Sequence, residues 1–193
     1  MSAIYSSLFS FSIAVFLGLF FYRLDSFSNL RNWHFWVYAL VGGITNISYA
    51  LAVIHGELVR VMLLFFLSPV WTIPFTYLLL KEKIFKKNIL AAVLSVFGAF
   101  IILWHPGLLI SKIAISDFYA IIGGIGFALT NVLARYYNHF TVKEKSYSIW
   151  LGVIFITILI IPFFPLNLLG SGININILVI LFLLGLALLI TTM

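Results

Sequence analysis

Polar residues set at helical spacing inside long apolar runs are the features of this sequence that could do chemistry. Between Leu58 and Leu80, the residues Arg60, Leu64, Ser68, Trp71 and Thr72 recur every three or four positions, which puts them on one helical face. That face offers a cation, a hydroxyl and a ring, a set able to receive a solute carrying a carboxylate. Pro69 and Pro74 interrupt the same run. Each removes a backbone donor and clashes with the preceding turn, so the helix kinks and frees carbonyls that could meet water or a polar solute. Asn46, Tyr49 and Val53 follow at i, i+3 and i+7 in a second run, and Asn131 and Arg135 at i and i+4 in a third.

A plainer reading fits the same residues. Arg60 sits about one turn inside a run, where a long side chain can snorkel to the interface, and Glu57 can pair with it at i, i+3. Trp71 suits an ordinary packing stripe, the prolines suit a kink that only shapes packing, and buried asparagines commonly glue helices together. Arg135 is most simply a charge anchoring the end of a span. Enzyme chemistry has less support. No run pairs His with Glu or Asp, and no H-E-x-x-H, G-x-S-x-G or phosphate-loop pattern occurs. The four histidines lie in or beside loops, the five acids lie away from mid-run, and cysteine is absent. The expectation is no catalytic residue, no metal and no cofactor.

The elements that must position these residues follow from composition. Apolar residues make up 64% of 193 positions and charged residues 8%, against roughly 25% charged in globular chains. One core of this size could not hide so much apolar surface, so lipid must cover it. A hydrocarbon layer about 30 Å thick takes about 20 helical residues. Seven runs qualify: 3–22, 34–54, 58–80, 88–104, 117–136, 147–165 and 175–193. They are continuous rather than alternating, and backbone polar groups in lipid must be satisfied within their segment, which predicts helices. The fold class is all-α membrane, with about seven transmembrane helices.

Charge gives the orientation. The loops after the first, third and fifth runs, with their flanks, collect nine of the eleven Lys and Arg residues, leaving Arg60 and Lys112 opposite. This bias puts the nine in the cytoplasm, the N-terminus outside and the C-terminus inside the cytoplasmic (inner) membrane. The net charge of +6 is therefore topological, and no nucleic-acid partner is expected. Residues 5–17 can be laid on 147–159, and a one-residue gap then sets Gly42 against Gly185. The two copies run in opposite directions through the bilayer, the pattern of inverted repeats in secondary transporters.

The stretch GGITNISYALAVIHGELVRVMLLFFLSPVWTIPFTYLLLKEKI, followed by a basic turn and NILAAVLSVFGAFIIL, resembles the EamA-like repeat of the drug/metabolite transporter superfamily. The resemblance rests on the mid-helix Pro69, the acidic Glu82 at a helix end and the small-residue helix near Gly98. SDFYAIIGGIGFALTNVLARYY is similar to the span that opens the second repeat. The resemblance implies a ten-helix fold of two inverted five-helix repeats that moves small metabolites, amino-acid-like or other organic solutes, through a central cavity. On that frame, 1–104 is most of the first repeat, 105–116 an extracytoplasmic linker, and 117–193 the start of the second. One family span before the first run and two after the seventh find no counterpart, so the chain reads as partial. The substrate-binding set would be Asn46, Tyr49, Arg60, Ser68, Trp71 and Asn131, with Pro69 and Pro74 as kinks. Expected partners are the bilayer and a small solute, with room for a homo-oligomer or a complementing chain. The alternative is a non-transporting remnant, or a helical membrane scaffold that needs a partner chain.

The orientation is testable because the chain has no cysteine of its own. Single cysteines replacing Ser26, Lys86 or Ser111 should differ toward an impermeant thiol reagent in intact cells. Only the one at Ser111 should react, and labelling at Lys86 would reverse the topology.

Overall fold

The computed structural model describes residues 3–22, 31–103, 114–163 and 175–190. All regular structure among them is helical: α1 (Ala3–Tyr22), α2 (Trp33–His55), α3 (Leu58–Phe65), α4 (Ser68–Phe75), α5 (Lys86–Leu103), α6 (Ile115–Tyr136), α7 (Val142–Ile160) and α8 (Ile175–Ile190). A π-helical turn, Thr76–Leu80, continues α4, and a 3-10 turn, Ile161–Phe163, continues α7. Counting α3, α4 and the π turn as one span gives seven spans among the described residues, in an all-α membrane fold. By length and composition Trp33–His55, Leu58–Leu80 and Ile115–Tyr136 can each cross a membrane, while Ile4–Leu19 and Val179–Ile190 are shorter apolar helices. Most of the expected linker 105–116, the basic turn at Arg23 and residues 164–165 and 191–193 lie outside the described residues.

Local chemistry sets the helix ends. The Asn32 side chain accepts the His34 amide (3.2 Å) at the start of α2. The run expected from 147 begins as helix five residues earlier, at Val142, because Thr141 and Glu144 form a capping box. Glu144 accepts the Thr141 amide (2.7 Å), and the Thr141 hydroxyl accepts the Glu144 amide (3.3 Å). The π turn stops at Lys81, which takes the left-handed conformation at φ 54°.

The helices gather into two compact units, each drawing on both halves of the chain: residues 1–47 with 138–193, and residues 48–137. In the first unit, α1 packs on α7 and α8. The start of α2 runs alongside α7 in the same direction, and the Ser148 hydroxyl donates to the Phe35 carbonyl (2.6 Å). The two backbones nearly touch: a Cβ on Gly152 would overlap the Ala39 carbonyl, and one on Gly43 would overlap Gly152 itself. On the other side, a Cβ on Gly185 of α8 would meet Ile13 and the Ser10 carbonyl of α1. The alignment of residues 5–17 with 147–159 makes Ser10 the counterpart of Gly152, as Gly185 is of Gly42. Gly152 meets Gly43 and not Gly42, so the two contacts differ by one residue from the aligned positions.

In the second unit, α6 packs along α3, α4 and the π turn, while α5 packs mainly against α4 and α3. Much of the α5 circumference is exposed and apolar, including Leu90, Leu94, Phe97 and Ile101. Such a surface needs lipid or another helix to cover it. Ala52, Val61 and Ala120 form the buried core here, with Tyr49, Val53, Leu64 and Tyr119 around them.

These contacts make glycine substitutions informative. Gly152→Val should cost about 1–3 kcal/mol or prevent folding, since the obstacle is backbone. A Cβ on Gly98 would meet nothing within 4 Å, so Gly98→Ala should be neutral or stabilise by about 0.5–1 kcal/mol. Thermal unfolding in detergent measures both, and an equal response would contradict the packing described.

Candidate functional site

The span from Leu58 to Leu80 carries two prolines and cannot close its own hydrogen-bond ladder. Pro69 offers no amide to the Phe65 carbonyl and Pro74 none to that of Val70. The helix breaks at Phe66–Leu67, where the Val70 amide donates to Leu67 (3.0 Å) and leaves the Phe66 carbonyl without its usual helical donor. The Ser95 hydroxyl of α5 donates to that carbonyl instead (3.3 Å). Gly124 of α6 lies over the break: a Cβ there would come 2.9 Å from the Phe65 oxygen. Glycine is what lets α6 lean on the exposed backbone.

Below the break, α4, the π turn, α5 and α6 enclose a groove of about 420 Å³. This is the size of ordinary small-ligand sites, about 300–1,000 Å³. One wall carries Ser68, Thr72 and Thr76, and the facing wall Phe127, Asn131 and Arg135 of α6. Glu82 and Lys83 stand at its mouth with Arg135. Arg135 donates to the Glu82 carboxylate at 2.6 Å, with side chains 60% and 44% exposed. The Thr72 hydroxyl donates to the Ser68 carbonyl (3.0 Å), a bond within the helix. Two other grooves of about 400 Å³ have mainly apolar linings, one with Phe11, Leu184 and Leu188, the other with Val93, Phe97 and Phe100.

Farther along α6, toward its start, the character changes. The rings of Tyr49, Phe65 and Phe127 stack in series, with centroids 4.7 and 5.3 Å apart. Beyond them Arg60 pairs with Asp117 at 2.7 Å, the two side chains 17% and 7% exposed. The same Asp117 oxygen accepts the Ala114 amide (2.9 Å) and so caps α6. Arg60 is therefore paired with Asp117, a residue far from it in sequence. This unit has a mouth at the Arg135 end, an aromatic middle and a buried ion pair at the other end.

The sequence-derived set divides accordingly. Ser68, Pro69 and Asn131 line the polar groove. Tyr49 and Arg60 belong to the aromatic stack and the buried pair. Trp71 is 37% exposed and Pro74 lies inside α4; neither is in the lining. Asn46 belongs to the other unit, where its amide donates to the Gly42 carbonyl (2.9 Å). Sequence reasoning missed the groove roles of Glu82, Thr76, Asn88 and Phe127. The i, i+4 spacing of Asn131 and Arg135 was the available signal for the α6 wall.

The model of the EamA-like transporter family matches residues 1–104, more than half of the chain. The chain belongs to the EamA-like transporter family. It is a multi-pass membrane protein of the drug/metabolite transporter superfamily, and lipid surrounds its helices. Searches of curated proteins and of solved structures give no match.

The buried pair of this EamA-like chain can be tested directly. Arg60→Ala or Asp117→Ala alone strands a charge and should cost about 3–5 kcal/mol, as for other buried pairs. Replacing both should cost less than the sum, giving a positive coupling in a double-mutant cycle of thermal stability. Additive losses would mean the two groups do not interact.

Proposed function

We propose that this protein is a permease of the cytoplasmic membrane that moves small organic solutes, amino-acid-like molecules among them, through the polar groove beside α4 and α6. The observation that carries the reading is a hydroxyl wall, Ser68, Thr72 and Thr76, facing the Asn131 amide in a groove of about 420 Å³. Polar groups of this kind inside apolar spans are expensive unless they meet each other, water or a solute. The mouth carries Glu82 and Lys83, and the neighbouring Lys81, Lys86 and Lys87 belong to the basic turn that the charge bias assigns to the cytoplasm. On this reading the groove faces inward. The aromatic stack and the Arg60–Asp117 pair close the outer end of the same unit. Tyr49 and Arg60 then bear on transport by holding this end closed. Asn46 and Trp71 stay in the proposed substrate-binding set.

The arrangement of the spans belongs to the same proposal. Residues 1–104 form most of one repeat, 105–116 cross outside, and 117–193 open a second repeat of inverted direction. The family match over 1–104 supports the first part of that division.

Asn131→Leu removes the amide and keeps the volume. In proteoliposomes offered a panel of labelled L-amino acids and other small organic solutes, it should lower uptake about ten-fold or more, the size of one lost hydrogen bond in a dry site. Its yield in the membrane should match the parent. Uptake unchanged by Asn131→Leu and by a blocking Ser68→Trp would remove the groove from the pathway.

A further inference from the structure

Two ion pairs lie along α6, and their surroundings give them different capacities. Asp117 is buried and Arg60 mostly shielded, and the Asp117 carboxylate also holds a helix cap. Opening that pair would strand a desolvated charge and undo the start of α6. Arg135 and Glu82 are half-exposed and line the polar groove. An exposed pair of this kind exchanges partners at little cost.

We propose that Arg135 receives the carboxylate of an anionic or zwitterionic solute, and that Glu82 holds the same guanidinium until the solute displaces it. The proposal rests on the transport reading above and specifies its substrate class. A solute carboxylate is chemically what Glu82 already offers, and the planar fork of arginine can donate two parallel bonds to either one. Lys83 shares the mouth, so two cations stand there against one acid and leave a net positive charge. Asn131 lies one turn deeper on the same face of α6, where it meets the polar remainder of the solute. Phe127, a further turn in, meets its apolar part. The anion-receiving role expected of Arg60 thus passes to a residue at the opposite end of α6, because the charge of Arg60 is already committed to Asp117.

The test uses proteoliposomes holding the full chain, with labelled L-amino acids and the same amino acids as α-amides as probes. The parent should prefer at least one acid over its amide by about ten-fold, the worth of a charge-assisted hydrogen bond. Arg135→Gln should abolish that preference, and Arg135→Lys should restore only part of it. Glu82→Gln should act in the opposite direction, lowering the KM for the acid about three-fold or more because the resident competitor is gone. A purely structural ion pair predicts losses from both variants and no change in the acid-to-amide ratio. Preference retained in Arg135→Gln, or a KM raised by Glu82→Gln, would overturn the assignment and leave the transport reading standing. Absence of uptake of every probe by the parent would overturn the transport reading and this assignment with it.

Discussion

Hydrocarbon offers a peptide group nothing to bond with, so each span must satisfy its own backbone or borrow from a neighbour. The span from Leu58 to Leu80 breaks that rule twice, at Pro69 and Pro74. Its surroundings are arranged around the breach. Ser95 donates to the Phe66 carbonyl, the Val70 amide turns back to Leu67, and Gly124 gives α6 a bare backbone to lay against Phe65. The widened π turn follows the second proline, and Lys81 ends it in a conformation more often taken by glycine. A straight helix here would pack flush against its neighbours. The broken one leaves a polar groove.

The two compact units solve the packing problem in different ways. In the unit containing α1, α7 and α8, glycines bring backbones almost into contact, and the buried Ser148–Phe35 bond ties α7 to the start of α2. Helices in lipid gain no hydrophobic drive from meeting, so close van der Waals approach and interhelical hydrogen bonds must hold them. The unit containing α3 to α6 is held by rings, an ion pair and a small core instead. Several hydroxyls, including those of Thr45, Thr130 and Thr157, bond back to carbonyls one turn earlier, which lets polar residues sit in apolar helices without partners elsewhere.

Much of the fold was legible because bilayer thickness converts apolar run length into helix length. Both ends of α1 and of the span Leu58–Leu80 fall where the apolar runs place them. The start of α7 did not, since Lys143, Glu144 and Lys145 look like loop by hydropathy; the T-V-K-E capping pattern carried the signal instead. The lining of the candidate groove was legible where a polar residue interrupts an apolar run, as at Ser68 and Asn131. Pairing was illegible where partners are distant in sequence. Local spacing joined Arg60 to Glu57, whereas folding brings it Asp117. Glu82 and Arg135 looked like markers of span ends, and nothing local could reveal that they meet.

The wall that α6 lends to the groove has a fixed order. Arg135, Asn131 and Phe127 succeed one another at one-turn intervals from the mouth inward. If the groove is the solute pathway proposed above, an entering molecule would be interrogated for charge, then for hydrogen-bonding capacity, and last for shape. On that proposal a species lacking the right charge would be turned back before its bulk is ever measured, so discrimination among homologous side chains would be left to the deepest turn. Lengthening or branching a solute's tail would then alter how quickly it passes without altering whether it is admitted.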